Sequence, residues 1–249
     1  MTLSPLEIER ATLLAWPALE EVADGGWAAR FAHGYTKRAN SIHCLDPADD
    51  GRAQQRIAAL AECYRERGLR PVFRVTPLAG PGIVAALDEM GWDVYEPSLV
   101  LGMELTKRQR LVSALTKYFE PSDPEWRQAQ AEMAGYSAET RSDLGEILDR
   151  ITVPARGVVV YDDAYQPAGA ALAVNADNCA VFLNVVVHPA KRGEGFGRAV
   201  MHAGLNWTSQ MGASYAAIQV LADNEAALGL YRSLGFTQIY EYHYRRAPE

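Results

Sequence analysis

Residues Val185 to Arg198 read VVVHPAKRGEGFGR. An apolar, β-branched run stops at His188, a turn follows, and glycines recur at 193, 195 and 197 before a stretch with helical apolar spacing. A strand that ends in a glycine-rich turn and opens a helix brings several backbone N–H groups and the positive end of the helix dipole to one spot. Gly193, Gly195 and Gly197 remove side chains that would hold an anion away from those amides, and Arg192 and Arg198 add charge at the rim. The expected ligand group is a pyrophosphate. Two other anion loops are ruled out by spacing: the glycines do not follow G-x-G-x-x-G after a single strand, and no Gly-Lys-Ser or Gly-Lys-Thr is present there.

Around this loop the sequence predicts helices over 125–134 and 138–151, then strands over 157–161, 168–174 and 180–187, punctuated by Asp162-Asp163 and by Asn175 to Asn178. Downstream it predicts a helix over 195–210, a strand over 215–220, a helix over 225–234 and a terminal strand from Phe236. This is an α/β chain with a mixed sheet. Only one strand follows Phe236, so the sheet of this half is to be completed by another segment or by a second protomer, in which case the protein is a homodimer.

The first part reads more loosely. Ser4-Pro5-Leu6-Glu7 is a capping box with proline at the first helical position, opening a helix that Pro17 ends or kinks. Strands over 27–32 and 40–45 form a hairpin around His33 to Arg38, and a helix over 52–67 stops at Gly68. A strand over 72–76, a helix over 83–90 closed by Gly91, and two strands, 92–95 and 99–105, on either side of Pro97 come next. The polar stretch 106–110 is the expected boundary between a domain of residues 1–105 and one of residues 110–249.

Composition narrows the function classes. With 249 residues, 31 acidic against 24 basic side chains and a net charge of −7, the chain lacks the basic surface a nucleic-acid binder needs. Its 49% apolar content can bury a core, and no apolar run reaches the roughly 18 residues of a membrane span. No secretory leader is legible and the three cysteines are widely spaced, so a reducing, cytoplasmic setting is expected. The five histidines show no metal-ligand spacing, and no metal is expected.

A second element completes the first. In Asn224 to Phe236, NEAALGLYRSLGF, Asn224 is placed to cap a helix and Tyr231 lies seven residues on, two turns along the same side. Arg192, Gly195 and Gly197 followed by Asn224, Ala227, Leu230, Tyr231, Gly235 and Phe236 resemble the paired signature of the GNAT superfamily of N-acetyltransferases. The resemblance covers about residues 110 to 249 and implies the GNAT acyl-CoA N-acyltransferase fold for that half.

The implied cosubstrate is acetyl-CoA. Val185 and Val187 would bond its pantetheine arm through their backbone on a strand splayed from its neighbour. The amides from Arg192 through Gly193, Gly195 and Gly197 to Arg198 would hold the pyrophosphate, and Asn224 would contact the pantetheine. Tyr231 would be the general acid, its phenol, ordinarily near pKa 10, matching the acidity of the leaving thiol. The implied reaction is direct transfer of acetyl to a primary amine of a small molecule or peptide, with backbone N–H groups stabilising the oxyanion. The strand over 180–187 offers Asn184 where many relatives carry a carboxylate, so the general base falls to Glu241 or to a chain of waters. The alternative is a non-catalytic acetyl-CoA sensor built on the same loop.

The first part aligns weakly with the second, Gly51-Arg52-Ala53 with Gly197-Arg198-Ala199 and Ala86 to Trp92 with Leu230 to Phe236. It reads as a truncated, degenerate GNAT-like copy. Asp46, Asp49 and Asp50 stand where a phosphate loop would be, and Leu87 stands in place of the tyrosine. Three carboxylates there repel a pyrophosphate. This half is expected to serve as a sheet partner and a wall on the acceptor side. Tyr240, Tyr242 and Tyr244 share one face of the last strand, either lining an acceptor pocket or covering the sheet.

Overall fold

A computed structural model describes residues 2–106 and 110–248. Residues 107–109, the middle of the expected boundary, lie outside the described residues. The chain order is α1 (Pro5–Ala15), β1 (Glu20–Asp24), β2 (Trp27–Phe31), β3 (Ile42–Cys44), α2 (Ala53–Glu66), β4 (Val72–Val75), α3 (Pro81–Glu89) and β5 (Asp93–Glu104). The second half runs β6 (Leu115–Phe119), α4 (Pro124–Ala134), α5 (Ala138–Asp149), β7 (Ala155–Tyr161), β8 (Pro167–Ala176), β9 (Cys179–Val187), α6 (Phe196–Gln210), β10 (Tyr215–Leu221), α7 (Glu225–Ser233) and β11 (Thr237–Arg246).

Local signals hold where they are strong. The Ser4 hydroxyl accepts from Glu7 N and the Glu7 carboxylate accepts from Ser4 N at 2.7 Å, which is the capping box that starts α1. Two strands escape the pattern. β1 and β6 are the outer edges of the sheet, mostly exposed, and carry no apolar alternation to announce them. The two strands expected around Pro97 are one, β5, which continues through Pro97 because Glu96 takes φ +49° and the pairing with β11 shifts register there.

All eleven strands of the described residues join one mixed sheet in the order β1-β2-β3-β4-β11-β5-β10-β9-β8-β7-β6. The last strand of each half is exchanged. β11 lies antiparallel between β4 and β5, with Tyr244 opposite Arg74 and Tyr95, while β5 lies antiparallel between β11 and β10, with Val100 opposite Gln219 and Tyr240. The sheet of the second half is thus completed by β5 of the same chain.

One face of this sheet carries α1, α4 and α5, whose Ile8, Trp126, Leu144 and Ile147, with Trp16 at the C-cap of α1, are buried against Val159, Leu172 and Val181. The other face carries α6 and α7 over the second half, with Val200, Met201, Leu228 and Tyr231 buried against Ala173, Phe182 and Ile218. The same core residues from α1 and from α4 tie the halves together. Tyr240, Tyr242 and Tyr244 cover the sheet and are almost fully buried. Tyr240 donates to Glu9 at 2.7 Å, Glu9 pairs with Arg74 at 2.8 Å, and the Arg74 guanidinium stacks 3.5 Å from the Tyr242 ring centre.

In the first half, carboxylates stand at the helix starts. Asp50 Oδ2 accepts from Gly82 N at 2.9 Å in the first turn of α3, and Asp49 accepts from Gly26 N at 2.7 Å and pairs with Arg56 at 2.8 Å. A Cβ on Gly80 or Gly82 would meet Asp50 at 2.7 and 2.9 Å, so this corner is already filled by the chain's own anions.

Candidate active site

β9 and β10 run parallel and pair from Cys179 opposite Tyr215 to Phe182 opposite Ile218. Beyond that pair β9 continues to Val187 and β10 to Leu221 without pairing to each other. The divergence has a local cause in β9. Leu183 opposes Leu172 and Val186 opposes Ala170, so two residues of β9, Asn184 and Val185, face one of β8. Asn184 takes φ +51°, and the extra residue bends the strand away from β10. The splay leaves the backbone of 183–187 free of a second ladder.

The loop after β9 is shaped by different needs at each glycine. His188 Nδ1 accepts from Ala190 N at 3.2 Å to start a 3-10 turn over Pro189–Lys191. Gly193 and Gly195 adopt φ +84° and +92°, where a side chain is strained although nothing would touch it. Gly197 is a glycine for space: a Cβ there would lie 3.1 Å from Leu230 Cδ2 and 3.5 Å from Val187 Cγ2, so it lets α6 approach α7 and β9. Gly195 caps α6 and its carbonyl receives Ala199 N at 3.1 Å. The amides of Phe196, Gly197 and Arg198 before it have no intrahelical acceptor. Arg192 and Arg198 are exposed at the rim, and Arg198 donates to Ser233 Oγ at 2.9 Å.

α7 closes the other wall. Asn224 Oδ1 accepts from Ala227 N at 3.1 Å as the helix cap, leaving its amide N–H groups for a ligand. After Leu234, Gly235 at φ +98° turns the chain, and Phe236 N returns to Tyr231 O at 3.1 Å. This puts the Phe236 ring 6.0 Å from that of Tyr231, edge on. Tyr231 is 5% exposed, and its hydroxyl makes no hydrogen bond among the described residues. Burial pushes its pKa up to about 12.

Val185, Val187, Arg192, Gly193, Gly195, Gly197, Arg198, Asn224 and Tyr231 all line one cleft of about 620 Å³ between β9, α6 and α7. That volume lies within the common range of small-molecule sites. Glu241 is not brought there. It is exposed on β11 and accepts from Gln238 Nε2 at 3.0 Å. Sequence reasoning missed two polar side chains on the opposite face of the splay. Gln130 of α4 donates to the carbonyl of Asn184 at 2.9 Å. Gln219, one residue past the last β9–β10 pair, accepts from Tyr242 at 3.3 Å and donates to Thr12 at 3.2 Å. Neither lies in a motif, and only the topology places them.

Comparison with known proteins agrees with this geometry. Residues 6–246 match the family model described as "Probable histone acetyltransferase Rv0428c C-terminal". An uncharacterized N-acetyltransferase of Bacillus subtilis, YobR, is 27% identical over 243 residues, spanning 96% of this chain and 97% of its own length. A mycothiol acetyltransferase of Kocuria rhizophila is 48% identical over 52 residues, 21% of this chain and 17% of that protein. Among solved structures, a GCN5-related N-acetyltransferase from Kribbella flavida superposes with a TM-score of 0.74 at 17% identity, covering 98% of this chain and 95% of that one. A tandem GNAT protein from the clavulanic acid biosynthesis pathway gives 0.68 at 14% identity, covering 97% and 88%. The splayed strand, the glycine turn and the capped tyrosine helix thus sit in a chain that belongs to the family of the Rv0428c C-terminal acetyltransferase model and that has the fold of the solved GNAT N-acetyltransferases.

Proposed function

We propose that the protein transfers the acetyl group of acetyl-CoA to a primary amine of a small molecule or peptide, at the cleft between β9, α6 and α7. The observation that carries the reading is the convergence of all nine expected cofactor-binding residues, from Val185 to Tyr231, on that one cleft. Acetyl-CoA, when bound, supplies an acetyl thioester open to attack by the amine, with its thiol as the leaving group. The free amides of Phe196 to Arg198 suit its pyrophosphate, since they combine unpaired N–H donors with the positive end of a 15-residue helix. The backbone of Val185 and Val187, free of a ladder on the β10 side, can accept the amide groups of an extended arm as an added strand.

Tyr231 stands on the far wall with its hydroxyl protonated across the working pH range, because burial keeps the phenolate unfavourable. A phenol pushed up to about 12 is a weaker acid than an alkyl thiol and gives its proton to a thiolate only uphill. Tyr231 therefore acts first as a hydrogen-bond donor that steadies charge on the sulfur, and the proton lost by the amine balances the step. With Glu241 exposed and turned to Gln238, that proton passes to solvent water in this reading.

The test is a panel of primary amines in which thiol release is followed with acetyl-CoA, beside calorimetry of acetyl-CoA alone. Binding together with amine-dependent release supports the proposal. Binding without release from any amine favours the sensor, and no binding removes both.

A further inference from the structure

The geometry points to Gln130 as a positioning residue that clamps the β9 bulge and so holds open the mouth between β9 and β10; this rests on reading the cleft as the acetyl-CoA site. Gln130 is fully buried on α4, whose Trp126, Ala129 and Met133 belong to the apolar cluster on that face. Its Nε2 donates to the Asn184 carbonyl at 2.9 Å, while its Oε1 is buried without a partner. An amide with half its capacity unmet is a poor choice for packing alone, since methionine or leucine would fill similar space with no polar atom to desolvate. The contact to Asn184 is what the amide contributes.

Asn184 is the residue that needs holding. It is the bulge residue of β9, in the left-handed region at φ +51°, which asparagine tolerates better than most but which is disfavoured without support. Its own side chain does not fix the turn, because Nδ2 is buried with no partner. The bulge sets the phase of the last three residues of the strand. Val185 packs with the α6 and α7 side and Val186 with the α1 and α4 side. If Asn184 relaxed into the extended region, the strand would slip by one residue and these faces would exchange. The end of β9 would then be free to close on β10, along the line where the arm is to lie. Gln130 accepts nothing from the cleft and does not touch it. It acts through the backbone of Asn184, from the opposite face of the sheet.

The test compares wild type, Q130M and the double variant Q130M/N184G by acetyl-CoA calorimetry, thermal melting and hydrogen exchange of the amides of residues 184–187. Methionine keeps the volume and loses the donor, and glycine adopts the left-handed conformation at no steric cost. Q130M is expected to bind acetyl-CoA about tenfold more weakly and to exchange faster at 184–187. The double variant is expected to regain most of the affinity and protection, which a general packing defect would not allow. Q130M binding as tightly as wild type, or no rescue by N184G, overturns the clamp. If wild type binds no acetyl-CoA, the reading of the cleft fails, and the clamp is decided by exchange: unchanged protection at 184–187 in Q130M overturns it and faster exchange supports it.

Discussion

At Tyr231, burial works both for and against a role in proton transfer. It removes water from the hydroxyl and so strengthens any hydrogen bond that the phenol donates. The same desolvation raises its pKa to about 12 and makes full proton donation harder. The net expectation is a residue whose loss costs turnover without costing affinity. Tyr231→Phe is predicted to keep acetyl-CoA affinity by calorimetry and to lower turnover by about 10²-fold. Because the folded pKa lies above the ordinary value, the native state holds this proton between pH 10 and about 12 while the unfolded chain loses it. Stability from this group is therefore complete below pH 10 and falls as pH rises toward 12. In turnover, no alkaline limb belonging to Tyr231 is expected below about pH 11. A limb near pH 9 that disappears in Tyr231→Phe would contradict the assignment of a buried, protonated phenol.

β5 shows what an element must give up to sit between two others. It pairs on both edges, with β10 and with β11, and its Gly102 faces Tyr215: a Cβ there would lie 2.5 Å from Tyr215 Oη and 2.7 Å from its ring. Gly102→Ala forces the ring or the strand aside and is predicted to cost about 1–3 kcal/mol, read as a lower midpoint in urea unfolding with an unchanged slope. A neutral result would mean that Tyr215 swings away freely. The element also shows where sequence stops being informative. Helix starts at Ser4, Gly195 and Asn224 are legible because capping chemistry is local. Pro97 in the middle of β5 reads as a break, since the compensating register shift against β11 belongs to a strand 140 residues further on. The cleft wall from Val185 to Arg198 and from Asn224 to Tyr231 is legible for the same local reason. Gln130 and Gln219 are not, because each acquires its place from a neighbour brought in by the sheet.

Exchange of the last strands makes the two halves depend on each other. The second half, cut before Arg110, carries the whole wall of the cleft but lacks β5, and with it the only partner on that side of β10 among the described residues. The first half, cut after Thr106, keeps β5 but loses β11, the strand that separates β4 from β5. Each piece would expose unpaired strand edges flanked by apolar faces, which favours aggregation over folding. The shared face deepens the dependence, since Ile8 of α1 and Trp16 just after it belong to one core with Trp126 and Leu172. Residues 1–106 and 110–249 expressed separately are therefore predicted to be insoluble or molten, and co-expressed they are predicted to associate into a soluble complex with the circular dichroism spectrum of the intact chain. Size-exclusion chromatography of the two pieces, alone and together, gives the answer. A cooperatively folded, monomeric 110–249 that binds acetyl-CoA by itself would mean that its sheet closes without β5, and that the weak match between the halves marks two independent domains rather than one interleaved body.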